Sequence, residues 1–196
     1  AVKAWAEKML EVLLYLHVDR QTAHCDFKLE NLLIFGVIQK LKAGDMDTAA
    51  RLGDPRGLHA TAYICAPELA RHVLAGGNGL KVSGAEDIWA VGVLVMYLMS
   101  GQPPFAAEDA AGAEKYGPIA ALTLDDVKAA MKRCKVRPRG QLEAFLLSCL
   151  NLDPDERGTA DRLLTGGWIG GNMATEVVRQ TRGTLQNVSG KLDSLQ

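Results

Sequence analysis

The sequence has no excess of either charge, no paired cysteines and no apolar run long enough to cross a bilayer. Its net charge of −1 gives no reason to expect a nucleic-acid or anionic-membrane partner. The longest apolar run, "IWAVGVLVMYLM" at residues 88–99, is too short for a membrane span and predicts a buried helix. No signal-peptide pattern is visible. We therefore expect neither nucleic-acid binding nor membrane insertion.

Cysteine is scarce and scattered. The four cysteines are Cys25, Cys65, Cys134 and Cys149. They form no C-x-x-C pair and have no ligand-like spacing to histidine, which argues against a zinc site. This usage favours a reducing, intracellular location and leaves the compartment open.

What is present is typical of a globular protein. Hydrophobic residues make up 48% and charged residues 23% of 196 residues, which predicts one folded domain over residues 1–170 and a polar tail over residues 171–196. The chain starts at Ala1, already inside a predicted helix, which indicates a fragment or a processed product.

Two interpretations fit the tail. Its apolar residues fall close to a heptad spacing and are Val178, Leu185, Val188, Leu192 and Leu195. A short amphipathic helix that binds a partner explains this spacing, although Gly183 and Gly190 weaken it. A mobile tail that orders only on a partner explains the same residues.

The hydrophobic periodicity predicts a mainly α-helical fold with one small β-hairpin. Predicted helices cover residues 3–18, a short piece after 66–68, and residues 86–100, 123–133, 140–150 and 159–165. The hairpin is predicted within residues 31–42, and residues 48–62 and 106–122 are predicted to be loops.

Five segments carry motif-like residues: "LHVDRQTAHCDFKLEN" at 16–31, "KAGDMDTAARLGD" at 42–54, "TAYICAPE" at 61–68, "EDIWAVGVLVMYLMSGQPPF" at 86–105 and "LDPDERGTADRLLTGGWI" at 152–169. In this order they resemble the C-terminal lobe of eukaryotic Ser/Thr protein kinases. One such segment is weak support, whereas five in order are strong. The resemblance implies a kinase-like C-terminal lobe without the N-terminal lobe, since nothing before the first long helix matches.

The resemblance also implies the site. Asp26 and Lys28 would be catalytic: Asp26 would accept the proton of a substrate hydroxyl, and Lys28 would neutralise charge on the transferred phosphate. Asn31 and Asp45 would bind Mg²⁺, and Leu33 would lie under the adenine ring of ATP. Mg-ATP is thus the implied cofactor, and the implied partner is a protein substrate.

The resemblance further assigns four supporting residues. Asp87 would brace the catalytic loop, and Thr61 would contact the Asp26–Lys28 pair. Glu68 and Arg157 would form a buried ion pair that ties the "APE" segment to the lobe.

The departures from the family pattern predict regulation and activity. Cys25 replaces an arginine that grips the phosphate in kinases activated by loop phosphorylation, and residues 49–60 contain no Ser, Thr or Tyr. We therefore expect no such switch. "DMD" replaces "DFG", and Asp47 is expected to strain a backbone position suited to glycine.

Neither a glycine-rich loop nor a strand-borne lysine is found, so the lobe alone is expected to be inactive. The alternative is a degenerate pseudokinase that serves as a structural or docking subunit of a larger assembly. The ending "GGWIGG" followed by a predicted helix resembles the calcium/calmodulin-dependent group.

Of two metal-site interpretations, the first is disfavoured and the second is rejected. Adjacent residues such as His24, Cys25 and Asp26 cannot all turn onto one ion without a special turn. "DMDTAARLGDPR" begins like a calcium loop but has Ala49 and Ala50 where an oxygen ligand and a glycine belong.

Overall fold

The computed structural model describes residues 1–36, 40–77, 79–105 and 112–170; the predicted tail at 171–196 lies outside these described residues. The helices are α1 Val2–Leu14, α2 Pro67–Leu74, α3 Ala85–Ser100, α4 Gly117–Ala120, α5 Leu124–Arg133, α6 Gln141–Cys149 and α7 Ala160–Thr165. The strands are β1 Thr22–Ala23, β2 Leu32–Phe35, β3 Lys40–Ala43 and β4 Ala50–Arg51. The predicted mainly helical fold is confirmed for this part of the chain.

Helix α3 is the centre of the core. Every residue from Asp87 to Met96 is buried, and the helix packs against α1 and α6. At Gly92 a Cβ would lie 2.8 Å from Cys149 Cβ, so α3 and α6 approach closely only because residue 92 has no side chain. Gly101, with φ +78, ends the helix. The apolar run at residues 88–99 is helical, as predicted, and is buried as far as Met96.

Two antiparallel strand pairs lie beside this helical core. Strands β2 and β3 pair with Leu32 opposite Ala43, which confirms the predicted hairpin and brings residues 43–45 next to Asn31. Strands β1 and β4 pair with Thr22 opposite Arg51. This second pairing was not predicted, because residues 48–62 lack periodicity.

Two predicted elements differ from the structure by more than one residue at an end. Helix α1 ends at Leu14 and continues as a π-helical turn, Tyr15–Asp19. The described portion of the predicted loop at 106–122 contains a 3₁₀ turn, Gly112–Tyr116, followed by α4. Tertiary packing explains this helix, since its Ile119 is 1% exposed in a cluster with Leu69 of α2.

None of the helices within the described residues combines the length and apolarity needed to cross a membrane.

Candidate active site

Asp87, in the first turn of α3, holds the loop that follows β1. Its carboxylate accepts the backbone N–H of His24 at 2.7 Å and that of Cys25 at 3.0 Å, and it contacts His17 Nε2 at 2.8 Å. Cys25 adopts a left-handed backbone, with φ +64, a conformation that needs support from its surroundings. The predicted bracing role of Asp87 is confirmed by these bonds.

The Asp26 carboxylate is the centre of the site. Thr61 Oγ1 donates to Asp26 Oδ1 at 2.6 Å, and Lys28 Nζ donates to Asp26 Oδ2 at 2.6 Å. Lys28 Nζ also donates to Thr61 Oγ1 at 3.3 Å. The predicted contact of Thr61 with the Asp26–Lys28 pair is therefore confirmed.

These contacts keep Asp26 ionised at neutral pH. Burial acts to raise the pKa of Asp26, but the hydrogen bonds from Lys28 and Thr61 and the charge of Lys28 hold that pKa below its usual value. A carboxylate with a low pKa is a weak base and a good hydrogen-bond acceptor. The arrangement is suited to orienting a hydroxyl nucleophile more than to deprotonating it early.

Asn31 joins the same cluster from the 3₁₀ turn Leu29–Asn31. Its Nδ2 donates to the Asp26 backbone carbonyl at 3.0 Å and to Asp26 Oδ2 at 3.4 Å. The amide nitrogen is thereby committed to Asp26, which leaves the amide oxygen as the atom that would ligate a hard cation.

Gly44, which precedes Asp45, lies against both Asn31 and Leu33. The Gly44 N–H donates to the Asn31 carbonyl at 2.8 Å, and a Cβ on Gly44 would lie 3.1 Å from Leu33 Cδ1. The Leu33 side chain therefore lies over the segment that carries Asp45. Both residues are exposed, whereas Asp26 and Asn31 are buried.

The residues present fit Mg²⁺ held together with a phosphate ligand. Among the described residues no cluster of three or more His, Cys, Asp or Glu side chains could hold a metal alone. Magnesium usually keeps several waters and takes one or two carboxylates plus substrate phosphates. The Asn31 amide and the Asp45 carboxylate supply oxygen donors of this kind.

The strain expected at Asp47 is not found, and that prediction was wrong. The left-handed residue of "DMD" is Asp45, with φ +53, and Asp47 lies outside that region. Asp is one of the few residues that tolerate this conformation at modest cost. Asp47 therefore carries no left-handed backbone strain.

Arg56 is a site residue that sequence reasoning missed. It is 6% exposed, and its Nε donates to Glu86 Oε1 at 2.9 Å and to Oε2 at 3.0 Å. Its Nη2 donates to the Cys25 carbonyl at 3.1 Å and to the His59 carbonyl at 3.0 Å. The "DPRG" sequence around it is typical of an exposed turn and carries no signal of burial.

The Glu86 carboxylate gives the fold a pH dependence. Burial raises the pKa of Glu86 from 4.5 to about 7, against the opposing charge of Arg56. The groups that face it are Arg56, Asp87, Glu68, Cys25 and Cys65.

We expect the wild type to lose stability relative to Glu86→Gln as the pH rises. The folded pKa exceeds the unfolded value, so the contribution of Glu86 to the free energy of unfolding is fully present below about pH 4.5 and is lost as pH rises through about 7. Between about pH 5.5 and 8 the stability difference between the two proteins should change by about 1–2 kcal/mol. Urea denaturation of both proteins at the two pH values measures it, and a constant difference contradicts the prediction.

The second buried ion pair matches its prediction. Arg157 Nη1 donates to Glu68 Oε1 at 2.6 Å and Nη2 donates to Glu68 Oε2 at 3.0 Å. The guanidinium also donates to the backbone carbonyls of Ala85 and Asn151. This pair ties α2 to the start of α3 and to the segment before α7.

Comparisons with known proteins agree with the geometry. Residues 1–169 match the family model for the protein kinase domain. Mitogen-activated protein kinase kinase kinase 1a of Physcomitrium patens is 30% identical over 183 residues, which are 91% of this chain and 22% of that protein. Mitogen-activated protein kinase kinase kinase 5 of Homo sapiens is 31% identical over 178 residues, which are 84% of this chain and 11% of that protein. The chain thus spans less than a quarter of the length of these two relatives.

Proposed function

Because this chain belongs to the eukaryotic Ser/Thr protein kinase family, we propose that it carries the catalytic residues for phosphoryl transfer from Mg-ATP to a protein Ser or Thr hydroxyl. The observation that supports this most is the Asp26 carboxylate, held at 2.6 Å by both Lys28 and Thr61 with Asn31 bonded to the same residue. Phosphoryl transfer needs positioning and charge neutralisation more than covalent help.

Each residue has one task in this proposal. Asp26 orients the substrate hydroxyl and accepts its proton, and Lys28 offsets charge on the transferred group. The Asn31 amide oxygen and the Asp45 carboxylate hold magnesium, which when bound neutralises the phosphates. Leu33, exposed above Gly44, offers an apolar surface for the base of the nucleotide.

Residues 1–196 alone are proposed to be inactive. Their sequence contains no G-x-G-x-x-G loop to hold the triphosphate, and the strand lysines that the structure describes, Lys40 and Lys42, lie on β3 of the hairpin that follows Asn31. In an active protein the groups that hold the triphosphate come from residues outside 1–196 or from another chain. The enzymatic proposal is contradicted if neither the full reading frame nor a partner chain supplies groups that hold the triphosphate.

Mg-ATP should stabilise the full-length protein through Asp45. A nucleotide that binds only the folded form at about ten times its dissociation constant raises stability by about 1.4 kcal/mol. We expect a corresponding rise in Tm for the wild type and loss of most of that rise in Asp45→Ala, since magnesium loses its carboxylate. Thermal-shift titration with Mg-ATP measures this.

Asp54→Ala is the matched control, because it removes an exposed carboxylate outside the proposed magnesium site with the same change of net charge. It should keep the wild-type response. Equal losses in the two variants reject the assignment to Asp45, and the absence of any shift in the wild type rejects nucleotide binding.

A second candidate function is that of a catalytically silent docking or structural subunit. Asp47 favours it, because it adds a carboxylate beside the proposed magnesium ligand Asp45. The intact cluster around Asp26 favours the enzyme. The calcium/calmodulin-dependent subgroup and partner binding by the tail stay predictions.

A further inference from the structure

Arg56 is a buried cation in a segment where turns and exposed residues surround it. Asp54, Pro55 and Gly57 on either side are exposed, whereas Arg56 is 6% exposed. A guanidinium is rarely buried unless it is paired and its donors are used. Its own backbone is fixed as well: its N–H donates to the Leu80 carbonyl at 2.9 Å, and its carbonyl contacts His72 Nε2 at 2.9 Å.

The guanidinium connects two segments that meet at Asp26. Through the Cys25 carbonyl it holds the residue that immediately precedes Asp26. Through the carbonyls of Gly57 and His59, at 3.1 Å and 3.0 Å, it holds the segment that leads to Thr61. Because Thr61 bonds Asp26 Oδ1, one side chain fixes the Asp26 carboxylate from both sides.

Glu86 anchors the guanidinium to the core. Its carboxylate sits in the first turn of α3 next to Asp87, and its side chain is 10% exposed. Neighbouring carboxylates on one rigid helix therefore secure both halves of the arrangement. Asp87 accepts a hydrogen bond from the backbone N–H of Cys25. Glu86 accepts from Arg56, which itself donates to the Cys25 carbonyl.

Resting on the proposed function, we propose that Arg56, anchored by Glu86, is a positioning residue that sets the geometry of Asp26 and Thr61 without phosphorylation. In kinases activated by loop phosphorylation, the segment carries a phosphate anion and an arginine before the catalytic Asp is the cation. Here the two charges occupy the opposite positions. The cation, Arg56, lies on the segment itself, and its partner is the carboxyl group of Glu86 in the core. This explains how Cys25 can precede Asp26 in a chain whose residues 49–60 contain no Ser, Thr or Tyr.

The test compares Arg56→Lys and Glu86→Gln with Glu68→Gln in the full-length protein. Glu68→Gln is the matched control, since it makes the same change in the other buried arginine–glutamate pair, which does not contact Asp26 or Thr61. A lysine keeps the charge of Arg56 but cannot donate to four acceptors in the fork geometry. Arg56→Lys should therefore behave like the wild type only if the positive charge of residue 56, and not its hydrogen bonds, positions Asp26.

Hydrogen exchange gives the readout that is independent of activity. At a temperature well below the melting transition of every variant, we expect exchange in peptides covering residues 24–31 and 56–61 to rise about tenfold in both test variants. The Glu68→Gln control should leave these peptides near wild type. Unchanged exchange in Arg56→Lys overturns the proposal whether or not the protein is an active enzyme.

Kinetics separate this proposal from the proposed function. For an active wild type we expect kcat to fall about tenfold or more in both test variants with KM for Mg-ATP nearly unchanged. Treatment of the wild type with phosphatase should leave kcat unchanged. An inactive wild type with increased exchange in the variants rejects the enzyme and keeps the positioning role. An active wild type whose kcat is insensitive to Arg56→Lys, or is lost on phosphatase treatment, rejects the positioning role.

Discussion

Asp26→Asn should lower the kcat of the full-length protein by about 10²–10⁴-fold, the range for loss of a positioned general base. The carboxylate accepts from Thr61 and from Lys28, each at 2.6 Å, so it is already held in place before a substrate arrives. An amide at this position has the same shape but carries no charge to attract the hydroxyl proton. Steady-state kinetics with a peptide substrate and Mg-ATP measure the loss, and KM for Mg-ATP should change little.

Asp54→Asn is the matched control. It makes the same chemical change at an exposed position of the segment between "DMD" and "APE" and should keep wild-type kcat. Thermal denaturation of both variants shows whether they stay folded at the assay temperature. A folded Asp26→Asn protein whose kcat is within about threefold of wild type contradicts the proposed role of the carboxylate.

The cluster around Asp26 could be predicted because its members lie close together in the sequence. Asp26, Lys28 and Asn31 share one loop, and the resemblance supplied Thr61 and Asp87. The spacing limits these residues to one small region, and the structure adds the hydrogen bonds that bring them together. The main helices were predictable for a similar reason, since their apolar periodicity is a local pattern.

What could not be predicted depends on contacts distant in sequence. Arg56 and Glu86 are 30 residues apart, and neither sits in a pattern that signals burial. The left-handed backbone lies at Asp45 and not at Asp47, which the residue types alone did not indicate. A single sequence gives no information about such pairings. Helix α4 was missed because its burial against α2, and not its periodicity, stabilises it.

Position 25 shows how these two kinds of information combine. The sequence alone showed that Cys25 and the segment 49–60 both lack the groups a phosphorylation switch needs. The structure shows how residue 25 is held: Cys25 is 5% exposed, its N–H donates to Asp87 and its carbonyl accepts from Arg56. The backbone of residue 25, more than its side chain, therefore connects the loop to the core.

Glu68→Ala should lower the free energy of unfolding by about 3–5 kcal/mol, the cost of leaving one member of a buried ion pair without its partner. The Arg157 side chain is 0% exposed and cannot turn into solvent to recover its hydration. Its guanidinium also stacks over Trp89 with 5.2 Å to the ring centroid, so moving it disturbs the core. Urea denaturation of residues 1–196 measures the loss as a lower urea concentration at the midpoint with an unchanged m-value.

The double variant Glu68→Ala/Arg157→Met separates the uncompensated charge from lost packing. Removing both charges should cost less than the sum of the two single variants, with a coupling energy of about 0.5–3 kcal/mol. Asp125→Ala, an exposed change in the first turn of α5, should shift stability by about 0.5 kcal/mol or less. Additive costs in the double variant would show that Glu68 and Arg157 act independently, in contradiction to the bidentate geometry. A loss in Glu68→Ala no larger than that in Asp125→Ala would show that the buried arginine finds other compensation.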